Sequence, residues 1–291
     1  MTRRLTRAQD GRPAAPIRIV HLGLGNFFRA HEAMYTERAS DADAWGIAAF
    51  TGRSTAMAEA MTAQDGLYEL IVQNPEGNEY EVISSISATH SGSDVATFVG
   101  YLADPAVVIV SSTITEAGYL PGAEGGIDLT NAAVQADIAA LKGGEATAVT
   151  TAPGKFVAGL LARRAADAGS ITFLPCDNVP DNGHMVAGVL TSLAEAVDPT
   201  LVDWMSANVG FATTMVDRIT PSISEEARAA LAADQGIDDP AAVATEPFTE
   251  WVIAGEFAGG RPAWESAGAA FVDDITPHEL RKLWLLNGSH S

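Results

Sequence analysis

A single cysteine, Cys176, occurs in 291 residues. No internal disulfide can form, which excludes a disulfide-stapled fold and points to a reducing, cytoplasmic setting. Positive charge is scarce: 17 Lys and Arg stand against 37 Asp and Glu, a formal net charge of -20. So acidic a surface repels phosphate backbones and anionic lipid, which excludes nucleic acid and membrane as partners and leaves room only for a local basic spot facing one cofactor. No apolar run reaches the roughly 18 residues that a membrane helix needs. The opening stretch MTRRLTRAQDGRP is basic but lacks the apolar core of a secretory signal, and residues 1–13 are expected to form a frayed, disordered tail. One cysteine and scattered histidines offer no zinc-ligand cluster, so no metal site is expected. A Tyr-x-x-x-Lys pair, the mark of a tyrosine-based alcohol oxidation, is also missing. There is no internal repeat.

What is present begins at IRIVHLGLGNFFRAH, residues 17–31. Ile17 to Leu22 reads as a buried parallel strand, Gly23-Leu24-Gly25 as a tight turn, and Phe27 to Ser40 as a helix. Strand, Gly-x-Gly and helix open a dinucleotide-binding unit: one glycine permits the turn, and the next lets the backbone approach a pyrophosphate at a helix N-terminus. Phe28 occupies the place of the third glycine, so the turn reads either as a nucleotide site or as an ordinary strand–helix connection. A second strand, Trp45 to Thr51, ends without the Asp or Glu that would bind an NAD ribose. Arg53 and Ser54 there fit either an NADP 2′-phosphate or a solvated loop.

Further along, Leu67 to Val72 and Glu79 to Ile86 read as strands joined by a turn, Asn74-Pro75-Glu76-Gly77-Asn78. Val107 to Val110 is a short buried strand that runs into Ser111 to Tyr119, where the hydroxyls, that of Thr113 among them, stand either at a nicotinamide or ribose or in a plain Ser/Thr-rich loop. Ile171 to Pro175 is a strand delivering Cys176-Asp177-Asn178. Asn178 is a donor for a substrate oxygen or the closure of an Asx-turn. Val209 to Val216 is a strand ending at Asp217-Arg218, a local ion pair or a pair facing a cleft. Pro277 to Leu286 is a helix that carries Glu279 and Lys282, with Asn287 and His290 just beyond; His290 follows Lys282 by about two helical turns. Its leucines alone would read as core, and Asn287-Gly288 as a helix C-cap.

Taken together, GLGNFFRAH (23–31), TITEAGY (113–119), CDN (176–178), TMVDRITP (214–221) and KLWLLNGSH (282–290) resemble the long-chain mannitol dehydrogenase family, in the family's order and over almost the whole chain. Its members are polyol and hexuronate dehydrogenases of the mannitol–fructose and mannonate–fructuronate type. The resemblance implies a Rossmann-like, doubly wound α/β fold with a mainly parallel sheet and additional strands. It also implies zinc-independent hydride transfer between a nicotinamide and a secondary alcohol. By the same resemblance Lys282 is the general base and Asn178 with Asn287 holds the alkoxide. His290 orients the substrate, Asp217 is a supporting carboxylate, and Glu279 is linked to proton passage. Gly23, Gly25, Asn26, Phe27, Arg53, Thr113 and Glu116 fall on the cofactor side, and the cofactor is NAD or NADP. The chemistry agrees in kind: oxidising an alcohol needs a base and donors for the developing alkoxide, and a lysine of free pKa about 10.4 becomes a better base when burial lowers that value. The expected organisation is a dinucleotide-binding domain over 14–276, with 277–291 as the first helix of a substrate domain. The family's helical domain is largely absent, so the chain reads as the amino-terminal part of a longer enzyme. A non-catalytic nucleotide-binding fragment is the alternative. The substrate is a small polyol or sugar acid, and the sequence leaves the oligomeric state open, a monomer included.

Overall fold

The apolar run Ile17–Leu22 forms β1, and Gly46–Phe50 pairs with it in parallel as β2. The computed structural model describes residues 2–52, 54–123 and 125–282. The remaining strands are β3 Tyr68–Asn74, β4 Gly77–Ile83, β5 Ile86–His90, β6 Ile109–Ser112, β7 Ile171–Pro175, β8 Val209–Phe211, β9 Thr213–Asp217, β10 Val243–Thr245, β11 Glu250–Ala254 and β12 Ala270–Phe271. Six of them make one sheet in the order β5-β2-β1-β6-β7-β8. Numbered along the chain, that is 3-2-1-4-5-6, the strand order of a dinucleotide-binding fold. Two smaller sheets, β10-β3-β4 and β12-β11-β9, are the additional strands. The helices are α1 Arg7–Asp10, α2 Asn26–Ala30, α3 Glu32–Arg38, α4 Ala56–Thr62, α5 Val95–Leu102, α6 Ala132–Lys142, α7 Ala152–Ala165, α8 Asn182–Val197, α9 Pro199–Asn208, α10 Glu225–Gln235 and α11 Thr276–Lys282. None of the described helices is long and apolar enough to cross a membrane.

The chain parts into two compact units. The first takes the residues up to Ser93, Asp217–Glu250 and Pro262–Gly268. Its β5, β2 and β1 pair in parallel, and β3 and β4 form the expected hairpin. The amino terminus, read from the sequence as a frayed tail, makes contacts of its own in this unit. Arg3 bridges to Ile237, and Leu5 is fully buried in a cluster with Leu67, Ile71, Leu231, Ile237 and Ala242. Arg7 donates to the carbonyls of Asp65, Ser84 and Ile86. A leucine that finds a core and an arginine that satisfies four carbonyls, Arg12 O included, outweigh the entropy of a free end.

The helix expected over 27–40 is two helices, broken at His31 with φ -122 and ψ -96. Side chains have captured the carbonyls that would continue the first helix. The Tyr68 hydroxyl donates to Arg29 O at 2.6 Å, and the Arg218 guanidinium donates to Ala30 O. Arg218 also donates to Thr245 Oγ1, and burial lowers its pKa to about 10. Its partners are therefore structural, and no Asp217–Arg218 ion pair occurs among the described residues.

The second unit takes Asp94–Val216, Trp251–Arg261 and the residues from Ala269 on. Its β6, β7 and β8 pair in parallel. The strand expected over 209–216 is interrupted at the fully buried Ala212. The chain leaves β7 after Phe211 and resumes as β9 in another sheet. Gly183 makes that crossing possible, because a Cβ there would lie 2.6 Å from Ala212 O. The helices start on side-chain caps that local sequence encodes: Asp94 for α5, Thr151 for α7 and Asp198 for α9.

Candidate active site

In the first unit, the glycine-rich turn is built on backbone geometry. Gly23 has φ 122, a conformation that L side chains rarely adopt, and the amides of Gly23 and Leu24 both donate to Phe50 O at 2.9 Å. Gly25 precedes α2 with φ -116 and ψ -175, ordinary extended backbone. A Cβ at Gly25 would meet only Gly23 O, at 3.5 Å, and the residue is exposed. The fold itself does not require glycine there. Beneath the turn, the buried Arg29 donates to Gly25 O at 3.2 Å, Asn26 Oδ1 at 2.6 Å and Ala241 O. Desolvation lowers the pKa of Arg29. Asn26, expected on the cofactor side, is thus held by Arg29, and Phe27 stacks on His31 with ring centroids 4.9 Å apart. Behind them His21 stacks on Phe28 at 3.5 Å and pairs with the fully buried Glu32. Phe28, in the place of the fingerprint's third glycine, is a core residue.

In the second unit, β6, β7, β9 and α11 bring a set of polar groups together. Lys282, half-buried at the end of α11, donates from Nζ to Asn178 Oδ1 and to Val216 O, each at 2.6 Å. Lysine has only donors, so it selects the oxygen of the Asn178 amide and leaves Nδ2 as the donor. These residues line a small cavity with Asp177, Val179, Pro180, Thr214, Met215 and Glu279. Glu279, three residues before Lys282 on the same helix, accepts the Asp181 amide at 2.9 Å and so docks α11 on the loop after β7.

Asp177 stands behind Asn178 and was not singled out by sequence reasoning. It is 4 % exposed. Its Oδ1 accepts the Ile114 amide at 2.5 Å and its Oδ2 accepts the Tyr119 hydroxyl, which also meets Ser112 Oγ at 2.6 Å. Burial pushes the carboxyl up to about 7, against the opposing pull of hydrogen bonds from Tyr119, Ile114 and Ser112. The carboxylate thereby ties the segment after β6 to the loop after β7. The signal was present as Asp177 beside Asn178 and as Tyr119 ending the TITEAGY stretch. Nothing local said that the two meet.

The other sequence-predicted residues are placed as follows. Thr113 is half-buried just past β6, and Glu116 is exposed in a short 3₁₀ turn, Glu116–Tyr119. Asp217 is half-buried at the end of β9, next to Val216, and is not among the cavity's lining residues. Arg53, Asn287 and His290 lie outside the described residues.

The sequence profile of the mannitol dehydrogenase Rossmann domain matches residues 17–266. The D-mannonate oxidoreductase of Escherichia coli strain K12 is 40% identical over 283 residues, which cover 94% of this chain and 57% of that protein. The polyol:NADP oxidoreductase of Gluconobacter oxydans is 40% identical over 280 residues, again 94% of this chain and 57% of that protein. The solved ternary complex of Pseudomonas fluorescens mannitol 2-dehydrogenase with NAD and D-mannitol superposes with a TM-score of 0.87 at 37% identity, over 95% of this chain and 57% of that one. The chain thus spans a little over half the length of these relatives. The match over residues 17–266, the 3-2-1-4-5-6 sheet and the two relatives at 40% identity agree: this chain belongs to the mannitol dehydrogenase family and carries its Rossmann domain.

Proposed function

We propose that the protein is a nicotinamide-dependent, zinc-independent oxidoreductase acting on a secondary alcohol of a polyol or sugar acid, with Lys282 as the general base. The observation that carries the reading is the approach of Lys282 Nζ to Asn178 Oδ1 and Val216 O beside one cavity. In the oxidation direction Lys282 takes the hydroxyl proton. Asn178 Nδ2, fixed as a donor because the lysine occupies Oδ1, stabilises the negative charge that grows on the substrate oxygen. Glu279 holds the helix of the base against the loop of the donor. Asn287, His290 and Asp217 join this set by the family resemblance, as a second amide donor, a substrate-orienting group and a supporting carboxylate.

The turn at Gly23–Gly25 fits a dinucleotide. Among the described residues a Cβ at Gly25 would meet only Gly23 O, and the space left is the room a pyrophosphate needs to reach the backbone. Gly23, Gly25, Asn26 and Phe27 in the first unit would hold that group, with Arg53 toward a 2′-phosphate; Thr113 and Glu116 are the candidates in the second. When bound, the nicotinamide supplies the hydride acceptor. Either NAD or NADP is compatible with relatives that include an NAD complex and a polyol:NADP oxidoreductase.

The experiment is a screen of the full-length enzyme with mannitol, fructose, mannonate and fructuronate, each with NAD(H) and NADP(H), followed at the nicotinamide absorbance. Cofactor-dependent turnover of at least one of these substrates is expected. Cofactor binding without turnover of any polyol or sugar acid would leave a nucleotide-binding module in place of a dehydrogenase.

A further inference from the structure

Among the described residues Lys282 donates to acceptors from two different parts of the chain: Asn178 from the loop after β7, and Val216 from β9. Something must fix the distance between them. The side chain of Asn182, the first residue of α8 and fully buried, spans that gap. Its Nδ2 donates to the carbonyls of Asp177 and Thr214, each at 3.0 Å, and lies 3.2 Å from Thr214 Oγ1. Its Oδ1 accepts the Thr214 amide at 2.9 Å. Thr214 Oγ1 in turn donates to Pro175 O at 2.6 Å, at the end of β7. Asp177 immediately precedes Asn178. Thr214 stands two residues before Val216, so their carbonyls leave the same edge of β9. One amide side chain therefore ties the loop that carries Asn178 to the strand that carries Val216.

We propose that Asn182 is a positioning residue for Lys282: it holds Asn178 and Val216 at the separation that seats the lysine amine. This rests on the reading of Lys282 as the base, and it adds a residue that touches neither substrate nor cofactor. A buried side-chain amide could cap a turn with fewer bonds. Here both of its polar atoms are spent on the two segments that carry the acceptors, and none on the backbone of its own helix. Replacing it would let the two acceptors separate by the fraction of an ångström that positioned catalysis does not tolerate.

The test uses the full-length enzyme and the variants Asn182→Ala and Thr214→Val. The first removes the amide. The second removes only the hydroxyl links to Asn182 and Pro175 O, and so keeps the test open where the first does not fold. Two readouts are taken. In the first, the amine of Lys282 is acetylated with a succinimidyl ester at fixed pH and followed by peptide mass spectrometry, with Lys142 and Lys155 as internal references. Lys282 is expected to react at least fivefold faster in Asn182→Ala and at least twofold faster in Thr214→Val, with both references unchanged. In the second, kcat for alcohol oxidation is expected to fall at least tenfold in Asn182→Ala with little change in the KM for cofactor. In a Lys282→Ala background the same substitution should cost nothing further, because Asn182 acts through the lysine. An unchanged labelling rate at Lys282 in a folded variant, or an equal loss of kcat in both backgrounds, would overturn the proposal. Absence of turnover in the unsubstituted enzyme would count against the dehydrogenase reading instead, and the labelling rate would still decide the role of Asn182.

Discussion

Asn178 and Lys282 stand 104 residues apart in the chain and 2.6 Å apart at Oδ1 and Nζ. The contact orients both groups: the amine fixes which end of the amide faces it, and the amide fixes the amine at the edge of the cavity.

This pair gives a first prediction. Asn178→Asp keeps the shape but places a carboxylate against the amine and removes the Nδ2 donor. An adjacent negative charge favours the protonated lysine, so the acidic limb of the pH profile for alcohol oxidation should move to higher pH. Loss of the donor should lower kcat by about 10²–10³-fold. Steady-state kinetics from pH 6 to pH 11 read both effects. An unmoved limb would mean that Asn178 and Lys282 are not in contact during turnover.

A second prediction concerns Gly25. Its backbone suits any residue, and a Cβ there meets only Gly23 O at 3.5 Å. Gly25→Val should therefore fold with near-normal thermal stability. Yet NAD(P)H affinity, measured by fluorescence titration, should fall tenfold or more, about 1.4 kcal/mol. Retained affinity would remove the turn from the cofactor site.

What the sequence made legible was local. The strand Ile17–Leu22, the turn at Gly23 and the hairpin between β3 and β4 depend on neighbours in the chain, and they fold as their residues predict. The break at His31 was hidden because it depends on Tyr68 and Arg218, whose positions say nothing of Arg29 or Ala30 until the chain is folded. Leu5 was hidden for the same reason: its partners begin at Leu67 and reach Ala242. At the site, Asn178 reads locally as a donor or an Asx-turn, and only the family resemblance joins it to Lys282, since no periodicity links residues so far apart. Asp177, Tyr119 and Asn182 were passed over, because support for a site is carried by buried hydrogen bonds that leave no pattern in the chain.

The amino terminus offers a third prediction. Leu5 is fully buried in an apolar cluster with Leu67, Ile71, Leu231, Ile237 and Ala242. Leu5→Ala should destabilise the protein by roughly 2–5 kcal/mol, the usual cost of a cavity left by a buried leucine. Urea unfolding measures it. A frayed tail would give no change.

Asp177 supplies a fourth. Its carboxyl titrates near 7 in the folded protein and near the ordinary 3.8 when unfolded. Between those values the folded state holds a proton that the unfolded state has lost, so this group's contribution to stability is greatest in acid and falls as pH rises through the window. Asp177→Asn has no such proton. Between pH 5 and pH 8 the unsubstituted protein should lose about 2–3 kcal/mol more stability than the variant. Glu69, pushed up to about 7 by burial and then by Asp239, contributes to both proteins and cancels in the difference. Parallel stability–pH curves would show that the Asp177 carboxyl is not protonated in this range.

The central claim is that Lys282 is the base, and the most direct measurement is the kinetics of Lys282→Ala in the full-length enzyme. Alcohol oxidation should fall by roughly 10²–10⁴-fold, the usual share of a positioned base. Nicotinamide cofactor affinity should stay close to that of the unsubstituted enzyme. The ionisation that controls the acidic limb of the pH profile should vanish with the amine, and an added primary amine should restore part of the rate. A folded, cofactor-binding Lys282→Ala enzyme with near-normal turnover and an intact pH profile would contradict the assignment.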